Sequence, residues 1–205
     1  MYTDFIYDFD GTISDSYPIF TRSLLNVMKR HGIEDSYENV LQRLKVTMKH
    51  AIESYPFEIS TEEVVREYAV EREPLMRGEA MPFEDAEALL AHVVDCGGRN
   101  FLYTHSGQIA WDLLEKWGLK KYFVGGVTKD HGFPSKPAPD ALFYLFKAYA
   151  IKPENALMVG DRALDLDAGK NAGIHGALLD PDGFYTTYPC EHRVRALCEL
   201  QSLIK

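Results

Sequence analysis

Thr3-Asp4-Phe5-Ile6-Tyr7-Asp8-Phe9-Asp10-Gly11-Thr12 decides how this chain is read. Its first half is short, aromatic and β-branched, and it runs into two acids and a glycine. That pattern suits a buried strand whose C-terminal end opens into a loop. Asp8 and Asp10 lie two positions apart, so they would point the same way if the strand continued, and the loop lets them converge on one centre. A carboxylate nucleophile beside a second carboxyl that moves protons is what phosphoryl transfer through an acyl-phosphate requires. The plainer alternative is that Asp10-Gly11 only makes a turn.

Downstream, from about Ser16 to Ala80, the character changes. Ile19, Phe20, Leu24, Leu25, Val27 and Met28 recur at helical spacing until His31-Gly32 ends the run. Further helical patterns run through Val40 to Leu44, Met48 to Tyr55 and Val64 to Tyr68, and Pro74 is expected to break the last one. No strand signal interrupts them. Residues 15–82 therefore read as a helical cap inserted after the first strand, leaving 1–14 and 83–205 as the core domain.

After Pro82 strands and helices alternate. A helix over Glu84 to Cys96 stops at Gly97-Gly98 and precedes the strand Phe101-Leu102-Tyr103. A helix over Gln108 to Trp117 precedes the strand Phe123 to Val127, and one over Ala138 to Tyr149 precedes the strand Ala156 to Val159. A short helix to Gly173 leads to the strand Gly176 to Leu179, and Val194 to Ile204 reads as a closing amphipathic helix. Such alternation indicates an α/β fold built on a doubly wound parallel sheet, in which ligands bind at the carboxyl ends of the strands.

The informative polar residues lie at those ends. Val159-Gly160-Asp161-Arg162-Ala163-Leu164-Asp165 carries two acids four apart, which a helix beginning there would stack on one face. Helix capping explains one acid; Mg²⁺ needs a cluster of hard oxygens from several loops, and Asp8, Asp161 and Asp165 could supply it. Thr104 places a hydroxyl after Phe101-Leu102-Tyr103, followed by His105, whose backbone N–H could serve a phosphate. Lys136 sits in Ser135-Lys136-Pro137-Ala138-Pro139-Asp140, whose prolines can fix a loop at a helix start.

In this order, Asp-x-Asp-Gly-Thr, a strand-end Thr, Lys-Pro-x-Pro-Asp and Gly-Asp-x-x-x-Asp resemble the motifs of the haloacid dehalogenase superfamily. The resemblance spans the core on both sides of the insertion, and Asp15-Ser16-Tyr17-Pro18 is similar to the cap entry of phosphoglycolate phosphatase-like members. It implies a Rossmann-like core and a Mg²⁺-dependent phosphatase that hydrolyses a small phosphorylated metabolite through an aspartyl-phosphate. By resemblance, Asp8 is the nucleophile and a metal ligand. Asp10 is the general acid/base and lends its main-chain carbonyl to the metal. Thr104 binds the phosphoryl oxygens with His105, and Lys136 compensates the charge of nucleophile and phosphate. Asp161 is a direct metal ligand, and Asp165 acts directly or through water. A phosphosugar mutase of the same superfamily and a non-catalytic phosphate-binding regulatory protein are the alternatives. Mutases share Asp10, and several carry a cap-entry His where this chain has Phe20. In the cap, Lys45, Lys49 and His50 either contact an anionic substrate tail or form a solvated face.

Composition narrows the partners. A formal net charge of −9 over 205 residues, without like-charge blocks, argues against nucleic acid and acidic membranes. No apolar run approaches the ~20 residues that span a bilayer, and no signal peptide is visible. Cys96, Cys190 and Cys198 have no metal-binding or redox spacing. A cytoplasmic enzyme, monomeric or homodimeric, is the expectation.

Overall fold

The opening stretch forms β1 (Asp4–Tyr7), all four residues buried, at the centre of the sheet. The structure is a computed structural model describing residues 1–205. After β1 come α1 (Tyr17–Arg30), α2 (Tyr37–Val46), α3 (Met48–Glu53) and α4 (Thr61–Glu79). The chain then alternates through α5 (Ala86–Asp95), β2 (Arg99–Tyr103), α6 (Gln108–Lys116), β3 (Phe123–Val127), α7 (Asp140–Tyr149), β4 (Ala156–Gly160), α8 (Ala163–Asn171), β5 (His175–Leu179) and β6 (His192–Val194). The chain divides into two compact units, Met1–Ser14 with Pro82–Lys205, and Asp15–Met81.

In the larger unit the six strands are all parallel, in the order β3-β2-β1-β4-β5-β6. The chain moves outward from β1 through β2 to β3, then returns to the other side of β1 for β4. That reversal places a crevice at the carboxyl ends of β2, β1 and β4. Register sharpens the point, because Tyr7 pairs with both Leu102 and Val159, so the three strands end at nearly the same height. On one face Ile6, Phe101, Val127 and Met158 pack with Leu142 and Leu145 of α7 and Ala168 of α8. Each large apolar side chain fully buried in this way contributes about 1.5–3 kcal/mol.

The smaller unit has its own core of Leu24, Val27, Met28, Val40, Leu44, Ile52, Val64 and Tyr68. The sequence reading is corrected at Pro74, which lies inside α4 and does not end it. Proline removes one backbone donor and crowds the preceding turn, but contacts on both sides hold the helix through it. Tyr68 and Met76 are buried, while Glu71 accepts from Asn26 and Arg30 at 2.8 Å and Glu79 pairs with Arg22 of α1. No helix is long and apolar enough to cross a membrane.

The C-terminal reading is corrected as well. Val194 belongs to β6, drawn onto β5 by the bond from Asp180 N–H to the Val194 carbonyl (2.8 Å) and by the Arg193–Asp180 ion pair (2.9 Å). Leu197–Leu203 is a 3-10 helix. Leu197, Leu200 and Leu203 recur every three residues, the period of a 3-10 turn, and Leu197 and Leu200 are buried.

Candidate active site

Asp8 extends β1 by one residue, its N–H donating to the Val159 carbonyl at 2.9 Å. The chain then turns sharply: the Phe9 carbonyl accepts from Ile13 and Ser14, both at 2.9 Å, and Gly11 takes φ 77°, where a side chain would be strained. Phe9 is buried and stacks on Trp117 with ring centroids 5.9 Å apart, which anchors the turn. Asp8 is left buried and Asp10 half-buried at its mouth.

Two cations hold the Asp8 carboxylate. Lys136 Nζ lies 2.9 Å from Oδ1 and Arg162 Nη2 lies 3.3 Å from Oδ2. Burial alone would push this carboxyl up, but the charges of Lys136 and Arg162 outweigh it and hold it below the usual carboxylate range. Lys136 is also 2.7 Å from Asp165 Oδ1, with both side chains fully buried. Burial opposes the Lys136 charge, yet the two carboxylates raise its pKa, so it stays an ammonium. The cost of a second buried acid falls on Asp165, which burial and the Asp8 charge push up.

The Asp161–Asp165 segment departs from its expected geometry. Asp161 is not on the helix, because Arg162 is extended (φ −126°, ψ 152°) and α8 begins at Ala163. The acids converge through a turn in which the Arg162 N–H donates to Asp165 Oδ2 at 3.1 Å. Gly160 makes room for this turn, since a Cβ there would fall on the Asp165 side chain, 2.6 Å from its Cγ. Asp8, Asp161 and Asp165 each offer a carboxylate oxygen within 4.8 Å of the others, a hard-oxygen set able to hold a divalent metal ion.

Three further bonds, two of them long-range, tie the remaining residues in. The Ser106 hydroxyl donates to Asp10 Oδ2 at 2.6 Å, and the Ser106 N–H donates to the buried Thr104 hydroxyl oxygen at 3.0 Å. The Lys136 N–H donates to His105 Nε2 at 3.0 Å. Burial, then the nearby Lys136 charge, lower the His105 pKa to about 4, so the ring is neutral and free to accept. Lys136 Nζ also sits 4.5 Å from the centre of the Tyr103 ring.

All seven sequence-derived residues, Asp8, Asp10, Thr104, His105, Lys136, Asp161 and Asp165, thus lie around the ends of β1, β2 and β4. Three others escaped the sequence reading. Ser106 was only the tail of a Thr-His-Ser run. Arg162 stood in the sequence only as a residue between the two acids of its run, and in the structure it meets the buried Asp8. Tyr185 carried no recognisable signal; burial first and the Asp161 charge second raise its phenol to about 12. In the smaller unit, Lys49 is 74% exposed and pairs with Glu53, while the Lys45 ammonium lies over the Tyr17 ring.

The chain is similar over most of its length to several known proteins. A fructose-1-phosphate phosphatase of Escherichia coli, YqaB, is 26% identical over 178 residues, covering 84% of this chain and 94% of that protein. A phosphoglycolate phosphatase of Aquifex aeolicus is 27% identical over 181 residues, covering 84% and 82% respectively. Among solved structures, a hydrolase from Streptococcus pneumoniae TIGR4 is 32% identical with a TM-score of 0.67, covering 87% of this chain and 93% of that one. A haloacid dehalogenase-like hydrolase from Bacteroides fragilis, 20% identical, shares the fold with a TM-score of 0.84 over 98% of this chain and 100% of that one. The model of the haloacid dehalogenase-like hydrolases matches residues 5–179, a span that contains every acid and cation at the strand ends, and the chain belongs to that family.

Proposed function

We propose that the chain is a Mg²⁺-dependent phosphomonoesterase that hydrolyses a small phosphorylated metabolite through an aspartyl-phosphate on Asp8. The observation that carries this reading is the state of Asp8: a buried carboxylate held ionised by Lys136 and Arg162, with Asp10 two residues away. The names of the relatives support the substrate class, since they specify a ketose 1-phosphate and phosphoglycolate.

In the first step an Asp8 oxygen attacks phosphorus and the bond to the ester oxygen breaks. Asp10, entering as the acid, gives its proton to that departing oxygen, and the alcohol leaves. In the second, a water oxygen attacks the phosphoryl group while the Asp10 carboxylate takes the water's proton. The bond to Asp8 breaks, releasing phosphate and restoring both acids. Ser106 holds Asp10 in place through the 2.6 Å bond, so the proton is exchanged from one fixed side chain. Thr104, buried at the end of β2, and the His105 backbone face the transferring oxygens in this reading. Lys136 balances the charge that builds when a carboxylate meets a phosphate dianion.

The donor set fits Mg²⁺, a small hard ion that takes oxygen ligands and keeps several waters. Asp8, Asp161, Asp165 and the Asp10 main-chain carbonyl would hold it, Asp165 directly or through water. When bound, the ion supplies positive charge to the phosphoryl oxygens.

A screen of sugar phosphates and phosphoglycolate with Mg²⁺ tests the proposal, with Asp8→Asn as the blank. The expected result is turnover of at least one substrate by the wild type and none above background by Asp8→Asn. Wild-type turnover in Asp8→Asn would exclude the covalent mechanism.

A further inference from the structure

Both oxygens of Asp8 are already engaged by cations, and the two engagements are unequal. Lys136 is fully buried and shared at 2.9 and 2.7 Å between Asp8 and Asp165, which fixes it. Arg162 is the looser partner: Nη2 is 3.3 Å from Asp8 Oδ2, Nε is 3.9 Å from Asp165 Oδ2, and the side chain is 17% exposed. Its backbone is pinned, the N–H donating to Asp165 Oδ2 at 3.1 Å and the carbonyl accepting from Asp165 at 3.0 Å. Only the guanidinium has a route outward.

An ion held by Asp8 and Asp161, with Asp165 directly or through water, needs an oxygen of Asp8. Lys136 keeps Asp8 Oδ1, so the oxygen available is Oδ2, the one Arg162 contacts. A guanidinium and a divalent ion cannot share it without strong like-charge repulsion among buried acids. The charge balance points the same way. Three carboxylates outnumber the cations Lys136 and Arg162 by one, and neutralising Arg162 doubles that excess of negative charge.

We propose that Arg162 competes with the divalent cation for Asp8. Without the ion its guanidinium neutralises Oδ2, and loading the ion requires it to withdraw, so this one residue lowers the site's metal affinity and keeps the buried acids paired while the site awaits metal. The inference rests on the metal-binding reading above and adds the residue that sets the affinity.

The test is a titration with Mn²⁺ alone, in phosphate-free buffer, following free Mn²⁺ by electron paramagnetic resonance and confirming the site by displacement with Mg²⁺. Wild type, Arg162→Gln, Arg162→Lys and Asp161→Asn are compared. Arg162→Gln should bind Mn²⁺ about tenfold more tightly than wild type, a change of about 1.4 kcal/mol, while Arg162→Lys stays close to wild type. Equal or weaker binding by a folded Arg162→Gln would overturn the competition and leave Arg162 a ligand for phosphate or a structural ion pair. A second measurement needs no neutralising variant. The Arg162 Nε–H resonance of the wild type, identified as the one lost in Arg162→Lys, should exchange with water faster once Mg²⁺ is added; unchanged exchange counts against the proposal. If wild type binds Mn²⁺ and Asp161→Asn binds it less well but Arg162→Gln does not tighten it, this inference alone falls. If no variant binds Mn²⁺, the metal-binding reading falls with it.

Discussion

Replacing Lys136 with Met should destabilise the larger unit by about 3–5 kcal/mol, the usual cost of stripping one partner from a buried ion pair. The structure shows why the cost is high. One ammonium, with no exposed surface, serves Asp8 at 2.9 Å and Asp165 at 2.7 Å. Without it the two carboxylates face each other with oxygens within 4.8 Å. At that separation, with an effective dielectric near 20, two unit charges repel by about 3.5 kcal/mol. The apolar stem is preserved in methionine, so the loss is electrostatic and not a cavity. Urea unfolding followed by tryptophan fluorescence reads the right unit, because both tryptophans, Trp111 and Trp117, lie within it. The buffer should contain a chelator, so that no ion replaces the lost charge. The decisive comparison is the double variant Lys136→Met/Asp165→Asn, which removes the like-charge clash and should recover about half or more of the loss. A penalty below about 1 kcal/mol in Lys136→Met, or a double variant no more stable than the single one, would refute the reasoning.

Three further outcomes follow from particular contacts. The Tyr7 hydroxyl is buried with no hydrogen-bond partner, so Tyr7→Phe should raise stability by about 1 kcal/mol; a loss of that size in the same urea assay would reveal a hidden partner. Asp161→Asn should demand more Mg²⁺ for half-maximal activity than Asp165→Asn. Asp165 already spends Oδ1 on Lys136 and Oδ2 on the Arg162 N–H, whereas the bond that Asp161 accepts from Thr12 is long, at 3.5 Å, and easily given up to an ion; the reverse order would exchange the two roles. His105 should make stability fall with acid. Its folded pKa is depressed to about 4 from 6.5, so between those values the unfolded chain takes up a proton that the folded chain refuses. The stabilisation is complete above pH 6.5 and is lost as pH falls towards 4, by about 1.4 kcal/mol per pH unit and about 3 kcal/mol in all. Stability curves of wild type and His105→Asn should therefore converge from pH 7 to 4.5, and parallel curves would contradict the assignment.

The sequence by itself determined the alternation of strands and helices, the helical character of residues 15–82 and the acids at the strand ends. These are local signals, carried by the period of apolar residues and by what must follow a buried strand. Asp8 with Asp10, and Asp161 with Asp165, were legible because each pair lies within a few residues. Local rules misjudged the chain where packing overrode them. Pro74 stays helical because α1 grips α4 on both sides of it, and Val194 joins the sheet because Asp180 and β5 draw it in. Which charge meets which was decided only by tertiary structure. Lys136 with Asp8, Ser106 with Asp10 and Arg162 with Asp8 are separated by 128, 96 and 154 residues, and no periodicity encodes such a distance. The parallel register that sets Tyr7 level with Leu102 and Val159 brings those strand ends together. Once they meet in a buried site, burial makes every unbalanced charge expensive, so the final pairing answers to the whole sheet and to no single segment.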